Sequence, residues 1–269
     1  MTLEAAQNAG QEPLIPWTAP WYVARMEADL PEVWPGARPW ADHWGSCGAY
    51  PDEKGLGAAI DRIRVPPEHL AAFWGSILPA YPEPPRISVG PLETPGLRAW
   101  LEAHRYSAAE RRPVVVLPRE RLDGGALGGT PNARLADSLE DLDQVLALDG
   151  LVFDDPPLTA EQRQAEWERI STGPRRLVLV RGEQGVALAA GGITRRTGWA
   201  LLWGGETHPA FRRRGLYRAV LARRLELARG WDADFVAVVA TPETSEPILR
   251  RWGFAQVAEC TVYRHRGSP

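Results

Sequence analysis

Residues Thr207–Leu221, THPAFRRRGLYRAVL, combine residue types and spacing suited to holding an anion. An apolar run, Trp199–Trp203, leads into them; a proline, three arginines and a glycine follow, and then a helix-like pattern. A strand feeding a tight loop that opens a helix can hold a phosphorylated cofactor. The first amides of a helix lack internal partners, and the helix dipole favours negative charge there. Gly215 has no side chain to keep backbone and ligand apart. Arg212, Arg213 and Arg214 add positive charge, but Lys54 is the only lysine in the chain. Arginine thus carries nearly all the positive charge, and its abundance alone is weak functional evidence.

Competing chemistries lack their residues. There is no Gly-x-x-x-x-Gly-Lys-Ser/Thr loop and no Gly-x-Gly-x-x-Gly after a strand. Gly45-Ser46-Cys47-Gly48 has the wrong spacing for a nucleophile elbow. The five histidines are scattered, so no metal is expected.

The elements around the loop follow from hydrophobic periodicity. Residues 66–81 carry Leu70, Phe73, Trp74 and Ile77 at helical spacing behind two prolines. Arg86–Val89 and Arg112–Leu117 are strand candidates, and Pro95–His104 between them is a helix with Leu97, Trp100 and Leu101 on one side. Residues 16–50 carry five tryptophans (Trp17, Trp21, Trp34, Trp40 and Trp44) interrupted by prolines. They read as aromatic packing rather than regular structure throughout. In Asp123–Asn132, four glycines and a proline cannot belong to an element interior. Beyond it, Ala133–Asp137 is a strand candidate, and Leu139–Leu148 and Ala160–Ile170 are helices. Arg176–Arg181 and Val186–Ile193 form antiparallel strands that turn at Gly182 and Gly185. Trp199–Glu206 is the next strand. A helix from Arg214 to Arg229 follows, with Tyr217, Val220, Leu221, Leu225 and Ala228 on its apolar face. Phe235–Ala240 is a buried strand, Glu243–Trp252 a helix ended by Gly253, and Gln256–Arg264 the last strand.

The chain has 269 residues, enough for two domains of about 100–150 each. It divides into a disordered start (1–15), a first domain (16–122), a linker (123–132) and a second domain (133–269). At 44% hydrophobic and 24% charged it reads as soluble and globular, and a net charge of −3 gives no pull towards nucleic acid or anionic membrane. Cys47 and Cys260 are too few for a disulfide framework. No signal peptide and no run of roughly 20 apolar residues is present, so a cytoplasmic location is expected.

The order of elements in 133–269 resembles that of the GNAT superfamily of N-acetyltransferases. Arg212-Arg213-Arg214-Gly215-Leu216-Tyr217 is similar to the family's acetyl-CoA loop, Arg/Gln-x-x-Gly-x-Gly/Ala, and Thr207-x-Pro209 to its Val-x-Pro lead-in. Ile248-Leu249-Arg250-Arg251-Trp252-Gly253-Phe254 is similar to the family's Tyr-x-x-x-Gly-Phe helix end. The resemblance implies the acyl-CoA N-acyltransferase fold, an α/β (α+β) architecture with a mixed, mostly antiparallel central sheet flanked by helices. Arg86–Leu117, with His104-Arg105-Tyr106 at its helix end, resembles the closing part of a second such domain; Lys54-Gly55-Leu56-Gly57 is the nearest counterpart of its loop. Two tandem copies are therefore expected, the first degenerate, in a layout similar to mycothiol synthase.

The resemblance also implies a reaction: acetyl transfer from acetyl-CoA to a primary amine of a small molecule or protein, by direct attack in a ternary complex. Gly205, Thr207, Arg212, Arg213, Arg214, Gly215, Leu216 and Tyr217 would contact the cofactor, with Ser245 at a helix start. The strand end at Gly205–Thr207 would pair with the pantetheine arm as an added strand does. An alkylammonium, with a pKa of about 10, must lose a proton at neutral pH. Glu206 is the candidate base, ahead of Glu243 and Glu246, which suit a helix start anyway, and of His208 in the loop. Two departures stand out. Tyr217 replaces a small residue and either crowds the cofactor or points into the core; Leu249 stands where many members carry a tyrosine acid. Tyr263 is the candidate replacement acid. The alternative is a catalytically inactive acyl-CoA-binding module. If the first half serves only as a structural or substrate-side partner, residues 133–269 alone should bind the cofactor.

Overall fold

A computed structural model describes residues 21–22, 26, 38–41, 46–50, 58–81, 83–91, 93–122 and 133–267. The expected disordered start, Lys54–Gly57, the 123–132 linker and Trp17, Trp34 and Trp44 lie outside them.

The described strands are β1 (Arg38–Ala41), β2 (Ser46–Tyr50), β3 (Ala59–Arg64), β4 (Arg86–Val89), β5 (Tyr106–Pro118), β6 (Arg134–Leu135), β7 (Arg175–Arg181), β8 (Ala187–Arg195), β9 (Trp199–Thr207), β10 (Phe235–Val239) and β11 (Ala255–His265). The helices are α1 (Leu70–Ile77), α2 (Leu97–Ala103), α3 (Leu139–Phe153), α4 (Ala160–Ser171), α5 (Leu216–Gly230) and α6 (Ser245–Arg251). All the strands join one sheet in the order β1-β2-β3-β4-β11-β5-β10-β9-β8-β7-β6. Only β3–β4 and β9–β10 pair in parallel. The expected mixed, mostly antiparallel sheet flanked by helices is therefore present.

Leaving aside the edge strand β6, that order is symmetric about the seam between β11 and β5. Each parallel pair is joined by a helix, α1 or α5, as parallel strands require. Each is followed by a short helix, α2 or α6, and then by a long strand, β5 or β11. The two long strands run antiparallel to each other, from Tyr106↔His265 to Val116↔Ala255, and each also pairs with the other half's inner strand. The halves thus exchange strands. Val115 and Leu117 of β5 enter the core built by Leu221, Leu225, Val236, Leu249 and Phe254. Tyr263 of β11 enters the core of Phe73, Trp74, Ile77, Leu97 and Leu101.

Strands β1, β2 and β3 escaped the sequence reading, and β5 starts six residues before the expected Arg112–Leu117. The extra stretch, Tyr106–Arg111 (YSAAER), carries no apolar alternation. Beyond the buried Tyr106 its side chains are exposed or half-buried, and the ion pairs Arg111–Glu259, Arg112–Glu110 and Arg264–Glu110 line the arm.

Helices α3 and α4 are capped by Ser138 and Thr159, the latter in a capping box with Gln162. A buried Asp141 ties α3 to the sheet by ion pairs to Arg134 and Arg181, both at 2.6 Å.

Candidate active site

Strands β9 and β10 pair from Trp199↔Phe235 to Leu202↔Val238 and then part. β9 runs on to Thr207, held on its far side by β8 through Ala189↔Thr207 and by the His208 amide donating to the Leu188 carbonyl (2.9 Å). β10 turns away, the Ala240 amide donating to Pro113 of the β5 strand (2.8 Å). From Trp203 onward the β10-facing edge of β9 therefore has no strand partner. The bend is local in origin. Gly204 has φ +54°, and the register slips between Ala190 and Gly192. A bulge of this kind turns a strand out of its ladder.

The loop after β9 coils into a short 3-10 turn, Pro209–Phe211, in which the Ala210 amide donates to His208 Nδ1 (3.2 Å). Arg213 (φ 65°) and Gly215 (φ 79°) are both left-handed, and Gly215 opens α5 with no side-chain cap. No atom lies within 4 Å of where a Cβ on Gly215 would stand. The first amides of α5 thus keep unspent donors beside an open position, which suits a phosphate. Arg212, Arg213 and Arg214 are exposed; Arg212 Nε donates to the Thr207 carbonyl (3.4 Å), and Arg214 lies over the Phe211 ring at 5.0 Å. The Leu216 side chain is core, leaving only its amide for a ligand. The Thr207 hydroxyl is buried without a partner, and the Ser245 hydroxyl accepts from the Thr241 amide (2.9 Å) just beyond β10.

Tyr217 is half-buried. Its ring lies against Gly205, where an added Cβ would stand 2.8 Å from Cε2, and it stacks on Trp252 at 5.9 Å. It packs on the β9 backbone beside the cleft, with the buried Arg224 beneath it at 6.0 Å. The Arg224 guanidinium occupies space left by Gly191 and donates to the carbonyls of Gly192 (3.3 Å) and Trp203 (3.4 Å). Burial pushes its pKa down, an effect that Tyr217 and Glu206 oppose.

Glu206 points to the opposite side, towards α3. It is 3% exposed, and neither carboxylate oxygen has a hydrogen-bond partner. Burial, and then the Asp149 carboxylate facing it, hold its pKa well above the usual carboxylate range; Arg224 pulls the other way, and Asp155 adds a smaller push upward. Sequence reasoning missed Asp149, Asp155 and Arg224. One signal was available for the first two: 149–155, DGLVFDD, places acids at a helix C-terminus, against the dipole.

The structure thus brings together Gly205, Glu206, Thr207 and the loop Arg212–Tyr217 at one end of β9, with Ser245 across the parting at the start of α6. It does not bring Tyr263 there. β11 lies three strands from β9, and Tyr263 is buried in the first-half core opposite Ala108 and Ile87. The sheet order, invisible in the sequence, corrects that assignment. Glu243 is exposed and Glu246 is paired with Arg250 (2.7 Å). Leu249 is fully buried core. Among the described residues no group of acidic, His or Cys side chains could hold a metal, and no helix is long and apolar enough to cross a membrane.

The chain matches no protein-family model and no curated protein. Solved structures do match it. A GCN5-related N-acetyltransferase from Kribbella flavida superposes with a TM-score of 0.66 at 17% identity, covering 93% of this chain and 96% of that one. A tandem GNAT protein from the clavulanic acid biosynthesis pathway gives 0.61 at 17% identity, over 98% and 92%. A GCN5-related N-acetyltransferase from Sphaerobacter thermophilus gives 0.58 at 14% identity, over 81% and 75%. At such identities the likeness defines the fold alone: this chain has the acyl-CoA N-acyltransferase fold seen in these acetyltransferases.

Proposed function

We propose that this protein is an acetyl-CoA-dependent N-acetyltransferase acting on a primary amine of a small molecule or a protein. One observation carries the reading: the unpartnered β9 edge and uncapped α5 amides meet a buried, unpartnered carboxylate on the same strand end. Acetyl-CoA would supply an activated acyl carbonyl. Gly215 and the first amides of α5 would hold its pyrophosphate, assisted by one of the exposed arginines. The β9 edge at Gly205–Thr207 would hold its pantetheine arm, and Ser245 would offer a polar contact.

Glu206 takes the ammonium proton from the acceptor. The freed nitrogen bonds to the acyl carbon as the carbon–sulfur bond breaks, sulfur leaves as a thiolate, and the second proton, still on the new amide nitrogen, passes to that thiolate or to water. A thiol pKa of about 8.5 makes that departure feasible without a protein acid, which neither Leu249 nor the remote Tyr263 provides. The inactive alternative is the weaker reading. An unpartnered buried carboxyl costs stability, and acyl-CoA binding alone gives no reason to keep it. The near-symmetric sheet order and the match over 98% of the chain to a tandem GNAT protein support residues 16–122 as a degenerate copy. A cytoplasmic location, without nucleic-acid or membrane partners, fits the composition.

Release of CoA thiol from acetyl-CoA across a panel of amines tests the proposal. Amine-dependent release is expected; tight acetyl-CoA binding with no amine-dependent release would overturn it in favour of the binding module.

A further inference from the structure

On the acyltransferase reading, we propose that Arg224 is a positioning residue for the cofactor's pantetheine arm: its guanidinium staples the bulge of β9 and so fixes which amides the open strand edge presents. Gly192 lies opposite Trp203 and Ala190 opposite Glu206, so two residues of β9, Gly204 and Gly205, face one of β8, Gly191. Arg224 lies beneath this spot. Its Nη1 donates to the carbonyls of Gly192 (3.3 Å) and Trp203 (3.4 Å), the opposed pair beside the slip. A Cβ on Gly191 would stand 2.7 Å from Nη1, and one on Gly205 would stand 3.4 Å from Nη2. The guanidinium thus fills the hollow that glycine leaves on both strands of the bulge. The Tyr217 ring edge, 2.8 Å from that same Gly205 position, closes the hollow from the side.

Packing alone does not call for a charge there. Every other buried residue of α5 is Leu, Val or Ala. Arg224 is 2% exposed, and burying a guanidinium is unfavourable unless its donors are used. An apolar side chain would cover the sheet without that penalty, but it could not hold one carbonyl on each strand. The place of the staple gives it a purpose. β9 pairs with β10 only as far as Leu202, so its open edge begins at Trp203, the residue whose carbonyl Arg224 holds. Successive amides of a strand face opposite edges, so the extra residue decides which of Gly205, Glu206 and Thr207 turns its amide to the open side. It also sets the face that the Glu206 side chain takes, because a slip of one residue reverses every side chain beyond it.

The test compares two ligands by calorimetry: acetyl-CoA, and adenosine 3′-phosphate 5′-diphosphate, which carries the same phosphates without the arm. Arg224→Met removes the staple. Gly191→Ala leaves it in place but pushes the flexible guanidinium aside, and it decides the matter if Arg224→Met does not fold. Each should weaken acetyl-CoA binding by about tenfold or more, equivalent to about 1.4 kcal/mol, with the nucleotide's affinity little changed. Arg224→Lys, which keeps a cationic donor, should restore part of the loss. A residue that only supports the fold would lower the competent fraction and leave the ratio of the two affinities unmoved. Equal losses for both ligands, acetyl-CoA affinity unchanged in the variants, or a parent protein that binds acetyl-CoA no better than the nucleotide would each overturn the inference while leaving the phosphate-binding loop intact. If the parent protein binds neither ligand, the acyltransferase reading fails and the arm-binding role with it. Amide hydrogen exchange over residues 203–207 then decides the strand-shaping role alone: faster exchange there in Gly191→Ala, with β7 unaffected, supports it, and an unchanged rate rejects it.

Discussion

Glu206 has two opposing consequences at the scale of a single residue. As a base it must be ionised, and its raised pKa means that kcat/KM should climb with pH through a limb lying above the ordinary carboxylate range. Glu206→Gln should remove that limb and lower turnover by about 10²–10⁴-fold, with acetyl-CoA affinity little changed, as stopped-time assays and calorimetry would show. A normal rate would place the base elsewhere. Stability follows the opposite sign. A carboxyl whose folded pKa is raised is fully accommodated below its unfolded value, about 4.3, and that stability is lost as pH rises through the folded value. Glu206→Gln should therefore raise Tm at pH 8 relative to the parent protein, with the gain vanishing near pH 4. An equal shift at both pH values would contradict the burial argument. Glu206 was legible as a strand-end acid beside the loop. Its partners were not, because Asp149, Asp155 and Arg224 reach it only through the packing of α3 and α5 on β8 and β9.

At the scale of elements, the αL start of α5 and the anchoring of α3 make separate predictions. Gly215 has φ 79° with open space around it, so a side chain there costs about 1–2 kcal/mol in backbone strain without a clash. Gly215→Glu should keep the fold, by circular dichroism, yet weaken acetyl-CoA binding by about tenfold or more, because it sets a carboxylate before the helix's free amides. Asp141 is fully buried between Arg134 and Arg181. Burial alone would raise its pKa; the Arg134 guanidinium and the Asp137 amide outweigh that and lower it. Its stabilisation is thus present above the unfolded value of about 3.9 and lost as pH falls through the depressed one. Asp141→Asn should cost about 3–5 kcal/mol in urea unfolding at neutral pH. Elements from α1 onward were legible where apolar residues alternated or recurred at helical spacing, as in α1, α5 and β10. The polar arm of β5 offers neither signal, because ion pairs and one antiparallel neighbour hold it rather than burial.

At the scale of the molecule, the exchange of β5 and β11 binds the halves together. Residues 133–269 on their own would leave the β10 edge bare and expose core surface normally covered by Val115 and Leu117, worth about 1.5–3 kcal/mol per side chain. The fragment should therefore be largely unfolded by near-ultraviolet circular dichroism, and separately made residues 1–132 should restore its order. A stable, acetyl-CoA-binding fragment would contradict this. The strand exchange also sets a timetable. Arg111 on β5 waits for Glu259 on β11, which lies 148 residues later. At roughly 5–20 residues per second of synthesis, that wait is roughly 7–30 s, far longer than the elementary steps of helix and hairpin formation. During it, β4 and β5 must both await the same missing neighbour. Folding of the first-made half is thus governed by the arrival of the last-made strand.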